Sequence, residues 1–211
     1  MKFSRRQFNR LVLAALGTAV LPISAQALQQ DHDYTLIVPP QPGDVAGKIE
    51  VLEFFSYGCP HCMEFHPLVK QWSAALPPDV DFRRVPVSFG RAAWANLARL
   101  YYALEYLDEL PRLDDAVFDA IHKQRAGLFT DKAIQQWAER QGVDGNRFRA
   151  IYDSFDMNIR LKRGERLTQS YKVQGVPLLT VAGRYAVTGQ SARGYGDLLR
   201  IADLLITQAR G

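Results

Sequence analysis

The chain is predicted to fold as an α/β domain interrupted by a block of helices. Three observations predict it. An apolar β-type run, Val51-Leu52-Glu53-Phe54-Phe55, ends in a turn carrying Cys59-Pro60-His61-Cys62, and a helical pattern starts directly behind it. From Gly90 to about Arg166 the texture is helical throughout. A β pattern then returns at Val173 to Ala182. The resulting order is β, β-α-β, helical insert, β-β-α.

A leader precedes these elements. Lys2, Arg5, Arg6 and Arg10 open the chain, an apolar run spans Leu11 to Ile23, and Ala25-Gln26-Ala27 is a small-residue cleavage site. That is the pattern of a signal peptide cut after Ala27. The run is short for a transmembrane helix. Ser4-Arg5-Arg6-Gln7-Phe8 also matches a twin-arginine signal, but Asn9 stands where that signal carries a hydrophobic residue, so the export route stays open. The four leader cations account for the net charge of +4: without them, 22 of the 26 basic residues face 22 acidic ones. The basic balance therefore carries no argument for a nucleic-acid partner. The expected organisation is a leader at 1–27, one domain formed by 28–89 and 167–211, and an inserted helical subdomain at 90–166.

Tyr34 to Val38 reads as an edge strand, broken by Pro39, Pro40, Pro42 and Gly43. Lys48 to Ser56 is a central strand whose nearly continuous apolar run suits cover on both faces. Glu53 interrupts it, as a strand-end surface residue or as a buried carboxylate. A helix from Cys59 to Ala75 turns Phe65, Leu68, Val69, Trp72 and Ala75 inward, with a kink at Pro67. Val80 to Phe89 is the next strand. Helices follow over Ala92 to Leu107, Asp114 to Gln124, Asp131 to Gln141, Asn146 to Phe155 and Asn158 to Tyr171. Thr130 is the N-cap of the third and Gly142 its stop. The charges of Lys162-Arg163-Gly164-Glu165-Arg166 read as a solvated helix face. Gly183-Arg184 turns the returning strand into Tyr185-Ala186-Val187, and Gly194 to Gln208 is the closing helix.

The chemistry lies in the chain's only two cysteines. At the first turn of a helix, Cys59 meets free N–H groups and the positive end of the helix dipole, which favour the nucleophilic thiolate. Cys62, one turn on, can close a disulfide with it. A purely structural disulfide between residues so close would staple little chain. Metal is the other alternative: Cys59, Cys62 and His66 are ligand types. Zinc sites of this kind draw a second pair from far along the chain, however, and neither a second cysteine pair nor a ligand-like spacing of His32 and His122 exists. Export places the pair in an oxidising compartment. The pattern points to a thiol–disulfide redox centre that needs no cofactor besides the Cys59–Cys62 disulfide.

Phe54-Phe55-Ser56 before Cys59-Pro60-His61-Cys62, with Gly175-Val176-Pro177 near the other end, resembles the DsbA family of periplasmic thiol oxidases, over roughly residues 34 to 205. The resemblance implies a thioredoxin fold with an inserted helical subdomain, and an oxidase of cysteine pairs in newly exported proteins. It implies that Pro177 is a cis-proline facing the cysteines, with the Val176 backbone free to pair with an extended substrate strand. It implies that Glu53 is a buried carboxylate that relays protons to and from Cys62, paired with Arg84; an arginine on a solvated strand end is the alternative. His61 is expected to donate a hydrogen bond or positive charge to the Cys59 thiolate. The implied partners are unfolded exported proteins and a DsbB-like inner-membrane quinone reductase, with the protein a monomer. Tyr57-Gly58 stands where some relatives carry two aromatics, which predicts a shallower surface beside Cys59.

Other functions remain on the same residues. An exported thiol reductase or isomerase would use the same fold, although residues 28–47 are short for an isomerase's dimerisation domain. A peptide-binding chaperone module would have incidental cysteines.

Overall fold

In a computed structural model, residues 28–188 and 192–211 are described; the predicted leader and its cleavage site lie outside them. The chain runs β1 (Tyr34–Leu36), β2 (Ile49–Phe55), α1 (Pro60–Ala74), β3 (Val80–Pro86), α2 (Ala92–Tyr106) and α3 (Leu110–Phe118). A π-helical turn at Asp119–Lys123 leads to α4 (Asp131–Arg140), α5 (Gly145–Tyr152) and α6 (Phe155–Ser170). Then come β4 (Leu178–Val181), β5 (Tyr185–Val187) and α7 (Tyr195–Arg210). One mixed sheet has the order β1-β5-β4-β2-β3, with β2 and β3 parallel and the other pairs antiparallel. This is the thioredoxin-type sheet, and α2 to α6 enter the chain between β3 and β4. None of the helices among the described residues is long and apolar enough to cross a membrane.

The two faces of β2 enter different cores, as a period of two requires. Val51 packs with Phe65 and Val69 of α1 and with Leu199, Ala202 and Leu205 of α7. Leu52 and Phe54 pack on the other face with Val85, Tyr171 and Val173. Phe55 at the end of β2, and Tyr57 just past it, join a third core with α2 to α5, which also encloses Cys59 and Cys62. The cysteines thus sit where the sheet and the helical block meet.

Several elements differ from expectation. β3 stops at Pro86 and β4 begins only at Leu178. In α1, Leu68 and Ala75 are exposed and His66 is buried. The inward stripe is Cys62, Phe65, His66 and Val69, a 3.6-residue repeat that cannot hold both Leu68 and Val69. The helix continues through Pro67. The helix expected from Asp114 starts at Leu110 and ends in the π-helical turn. Phe155 opens α6, because the Ser154 hydroxyl caps that helix by accepting from Met157 N at 3.1 Å. Thr130 caps α4, accepting from Ala133 N at 3.3 Å. The cations of 162–166 are exposed, but Gly164 among them is buried against Tyr102. At the β4–β5 turn, Gly183 has φ +62° and its Cα lies so close to Gln41 that a Cβ would fall 1.9 Å from the Gln41 carbonyl oxygen, so only glycine fits.

Candidate active site

Cys59 is the N-cap of α1, with extended backbone (φ −95°, ψ 119°), and Pro60 occupies the first helical position, where a missing N–H costs nothing. Both cysteines are thiols in this structure. The Cys59 thiol is pulled down to about 6. The largest cause is the hydrogen bond from the Cys62 thiol; the backbone N–H groups of Cys62 and His61 add to it, and the His61 charge contributes least. Cys62 is fully buried, and burial first, then its thiol bond to Cys59, drive its own thiol far upward. One sulfur is therefore anionic at neutral pH while its neighbour holds its proton.

Pro177 follows a cis peptide bond, and the loop it shapes faces the cysteines: the Cys59 thiol lies 3.4 Å from the Val176 carbonyl oxygen. A second cis bond, Val38–Pro39, lies in the loop after β1 and had no signal in the sequence beyond the proline itself.

Glu53 is completely buried, which decides between its two sequence readings. The parallel register places it opposite Arg84, and the Arg84 Nε donates to Glu53 Oε2 at 2.7 Å. Burial outweighs the arginine and raises the Glu53 carboxyl above its usual range. Its other oxygen, Oε1, is buried with no hydrogen-bond partner among the described residues. Arg84 is shared: its Nη1 donates to Asp114 Oδ2 at 2.7 Å, and its guanidinium stacks 3.8 Å over the Phe55 ring. Asp114 also accepts from the Tyr57 hydroxyl at 2.5 Å. His66 pairs with acids of α3: its Nε2 lies 2.6 Å from Asp115 and its ring packs on Phe118 at 4.8 Å. His122 Nε2 reaches the Tyr57 carbonyl at 2.7 Å.

His61 is solvent-exposed. Its Nδ1 lies 3.2 Å from the Tyr195 hydroxyl of α7 and 3.5 Å from Glu64. Gly58 is overlaid by Trp94, whose Nε1 would lie 2.6 Å from a Cβ at position 58. The surface beside Cys59 does not lack a second ring, as Tyr57-Gly58 suggested. Tyr57 is buried, and α2 supplies the ring instead, with Arg91 4.8 Å over it.

Sequence reading singled out Cys59, Cys62, Glu53, Arg84 and the Val176–Pro177 step, and the fold gathers them. It missed Asp114, Tyr195 and Trp94. Asp114 had a signal. It sits inside the apolar stripe Leu110, Leu113, Val117, Phe118 at helical spacing, so its carboxylate had to be buried with a partner. Tyr195 and Trp94 had none, because their neighbours lie far away in sequence.

A thioredoxin-type sheet, a Cys-X-X-Cys pair at a helix N-terminus and a facing cis-proline define a thiol–disulfide redox protein. Residues 50–193 match the DSBA-like thioredoxin domain. The thiol:disulfide interchange protein DsbA of Bordetella pertussis is 41% identical over 205 residues, covering 96% of this chain and 97% of that protein. DsbA of Pseudomonas aeruginosa is 36% identical over 207 residues, covering 96% and 97%. The crystal structure of the Pseudomonas aeruginosa protein superposes with a TM-score of 0.84 at 36% identity, over 88% of this chain and 96% of that one. The chain belongs to the DSBA-like thioredoxin family.

Proposed function

We propose that this protein is a periplasmic thiol oxidase that gives its Cys59–Cys62 disulfide to cysteine pairs of newly exported proteins. The observation that carries the reading is the split between the two sulfurs, Cys59 held near 6 and Cys62 held protonated. A client thiolate attacks Cys59 Sγ; the Cys59–Cys62 bond breaks and a client–Cys59 disulfide forms. Cys62 leaves with the electron pair and takes a proton, for which Glu53 is the acid in the scheme, since its charge is felt at Cys62 and burial holds its carboxyl up. A second client thiolate then attacks the client sulfur of the mixed disulfide, and Cys59 leaves as the stable thiolate. The client loses two electrons and the protein gains them. A low-pKa leaving group speeds the last step and makes the protein's disulfide the weaker of the two.

Val176 supports strand-like docking of the client, since its carbonyl lies beside Cys59 and Pro177 donates no N–H. Pro60 fixes the start of α1, and His61 adds charge at the rim. Electrons leave to a DsbB-like inner-membrane quinone reductase, and the protein acts as a monomer. The name of its relatives, thiol:disulfide interchange protein, supports the exchange chemistry. No observation favours the reductase, isomerase or chaperone alternatives.

The test is the redox equilibrium of the leaderless protein in glutathione buffers. The pair is expected to stay reduced except in strongly oxidising buffer. A pair that stays oxidised in reducing buffer overturns the oxidase reading. In parallel, Cys62→Ala should accumulate a mixed disulfide when its Cys59 thiolate attacks a disulfide-bonded peptide and releases one peptide thiolate, whereas Cys59→Ala should neither trap that peptide nor oxidise its dithiol form.

A further inference from the structure

The hydroxyl of Tyr195 touches two polar groups that the cysteine chemistry does not explain. It lies 3.1 Å from Glu64 Oε2 and 3.2 Å from His61 Nδ1. A phenol has one proton to give. Given to Glu64, it satisfies the carboxylate and leaves the phenol oxygen to accept from His61, so Nδ1 must carry hydrogen. Given to His61, it would leave a carboxylate facing the phenol lone pairs at 3.1 Å, and facing the bare Nδ1 at 3.5 Å. Only the first arrangement gives every contact a proton. The Tyr195 ring is itself seated on Phe65 at 5.4 Å, so α7 holds the hydroxyl in place.

We propose that Tyr195 is the positioning residue for His61, fixing its Nδ1 as the hydrogen-bearing nitrogen and leaving Nε2 as the free nitrogen of the ring. Tyr195 touches neither sulfur in this scheme; it acts through His61. The chain Glu64 carboxylate, Tyr195 hydroxyl, His61 Nδ1–H holds the ring in one orientation at the start of α1. The groups that meet the ring are Glu64 one turn along α1 and Tyr195 from α7, and the ring's charge is among the causes that lower the Cys59 thiol. The consequence for the oxidase rests on the function proposed above. The tautomer does not.

The experiment is nitrogen-15 NMR of the His61 ring in the full leaderless protein, with Tyr195→Phe, which keeps the ring on Phe65 and removes only the hydroxyl. Wild type is expected to show the Nδ1–H form, and Tyr195→Phe the Nε2–H form that neutral imidazole prefers in water. The same variant should raise the Cys59 titration and make the glutathione equilibrium less oxidising by about two- to fivefold, the size of an exposed charge-assisted contact. In a His61→Ser background, Tyr195→Phe should no longer move either. Wild-type Nε2–H, an unchanged tautomer in Tyr195→Phe, or an equal shift without His61 each overturns the proposal. Failure of the glutathione test with the tautomer intact would strike the oxidase reading alone.

Discussion

β2 and β3 carry two glutamate–arginine clusters back to back, one on each face of the sheet. On the α6 face, Glu50 accepts from the Tyr171 hydroxyl at 3.0 Å and pairs with Arg83, which also meets Asp44 and Asp81 and is 31% exposed. On the α1 face, Glu53 and Asp114 share Arg84, which is 10% exposed and roofed by Phe55. The residue types are the same, and each cluster recruits a tyrosine and at least one aspartate. What differs is water. Arg83 spreads its charge over three acids at the rim of the sheet. Arg84 is sealed in between Glu53, Asp114 and the Phe55 ring, where every proton and charge must be balanced from within. The α1 face is thus the one on which a change of charge at Cys62 is felt: the Glu53 charge is among the causes that push the Cys62 thiol upward.

Four substitutions sharpen this contrast. Arg84→Met strands two buried carboxylates and should cost about 3–5 kcal/mol in urea unfolding; a cost equal to that of Arg83→Met would erase the difference between the faces. Glu53→Gln comes next. Its folded carboxyl titrates above the unfolded value of 4.5, so its contribution is complete below that pH and is lost as pH rises through the folded value. Wild-type stability should therefore carry a falling slope above pH 4.5, up to about 1.4 kcal/mol per pH unit, that Glu53→Gln removes. Parallel stability curves would sink the buried-acid assignment. Tyr57→Phe leaves Asp114 Oδ1 without its donor and should cost about 1–2 kcal/mol, read as a shift in denaturation midpoint at constant slope. Arg83→Met should cost at most about 1 kcal/mol, and added salt should shrink that cost.

The α1-face cluster also marks how far sequence reaches. The Glu53–Arg84 pair is implied by the family resemblance alone; the parallel register of β2 and β3 is what sets the two side chains opposite each other. The redox pair was legible, because its chemistry is local: turn, proline and helix start lie within four residues. Asp114 belongs to the same cluster but joins it 30 residues from Arg84, across a helical block whose packing no local pattern fixes. The π-helical turn after α3 was equally illegible. It swings His122 onto the Tyr57 carbonyl, a contact 65 residues long in sequence. Boundaries failed where capping decided them, as at Ser154, and where a proline-bounded loop replaced strand, as at Val173 to Gly175.

Trp94 over Gly58 makes positions 58 and 94 a single volume shared by two segments of chain. An aromatic side chain at 58 cannot be added to this protein; it can only be exchanged, with position 94 shrinking as 58 grows. Relatives that present a ring from the residue before the first cysteine should therefore carry a small side chain on α2. Transplanting the two-aromatic turn here without that second change should misplace Cys59 rather than deepen its surroundings. The rim of the active site is inherited as a pair of positions, and its shape drifts by trading bulk between a turn and a helix.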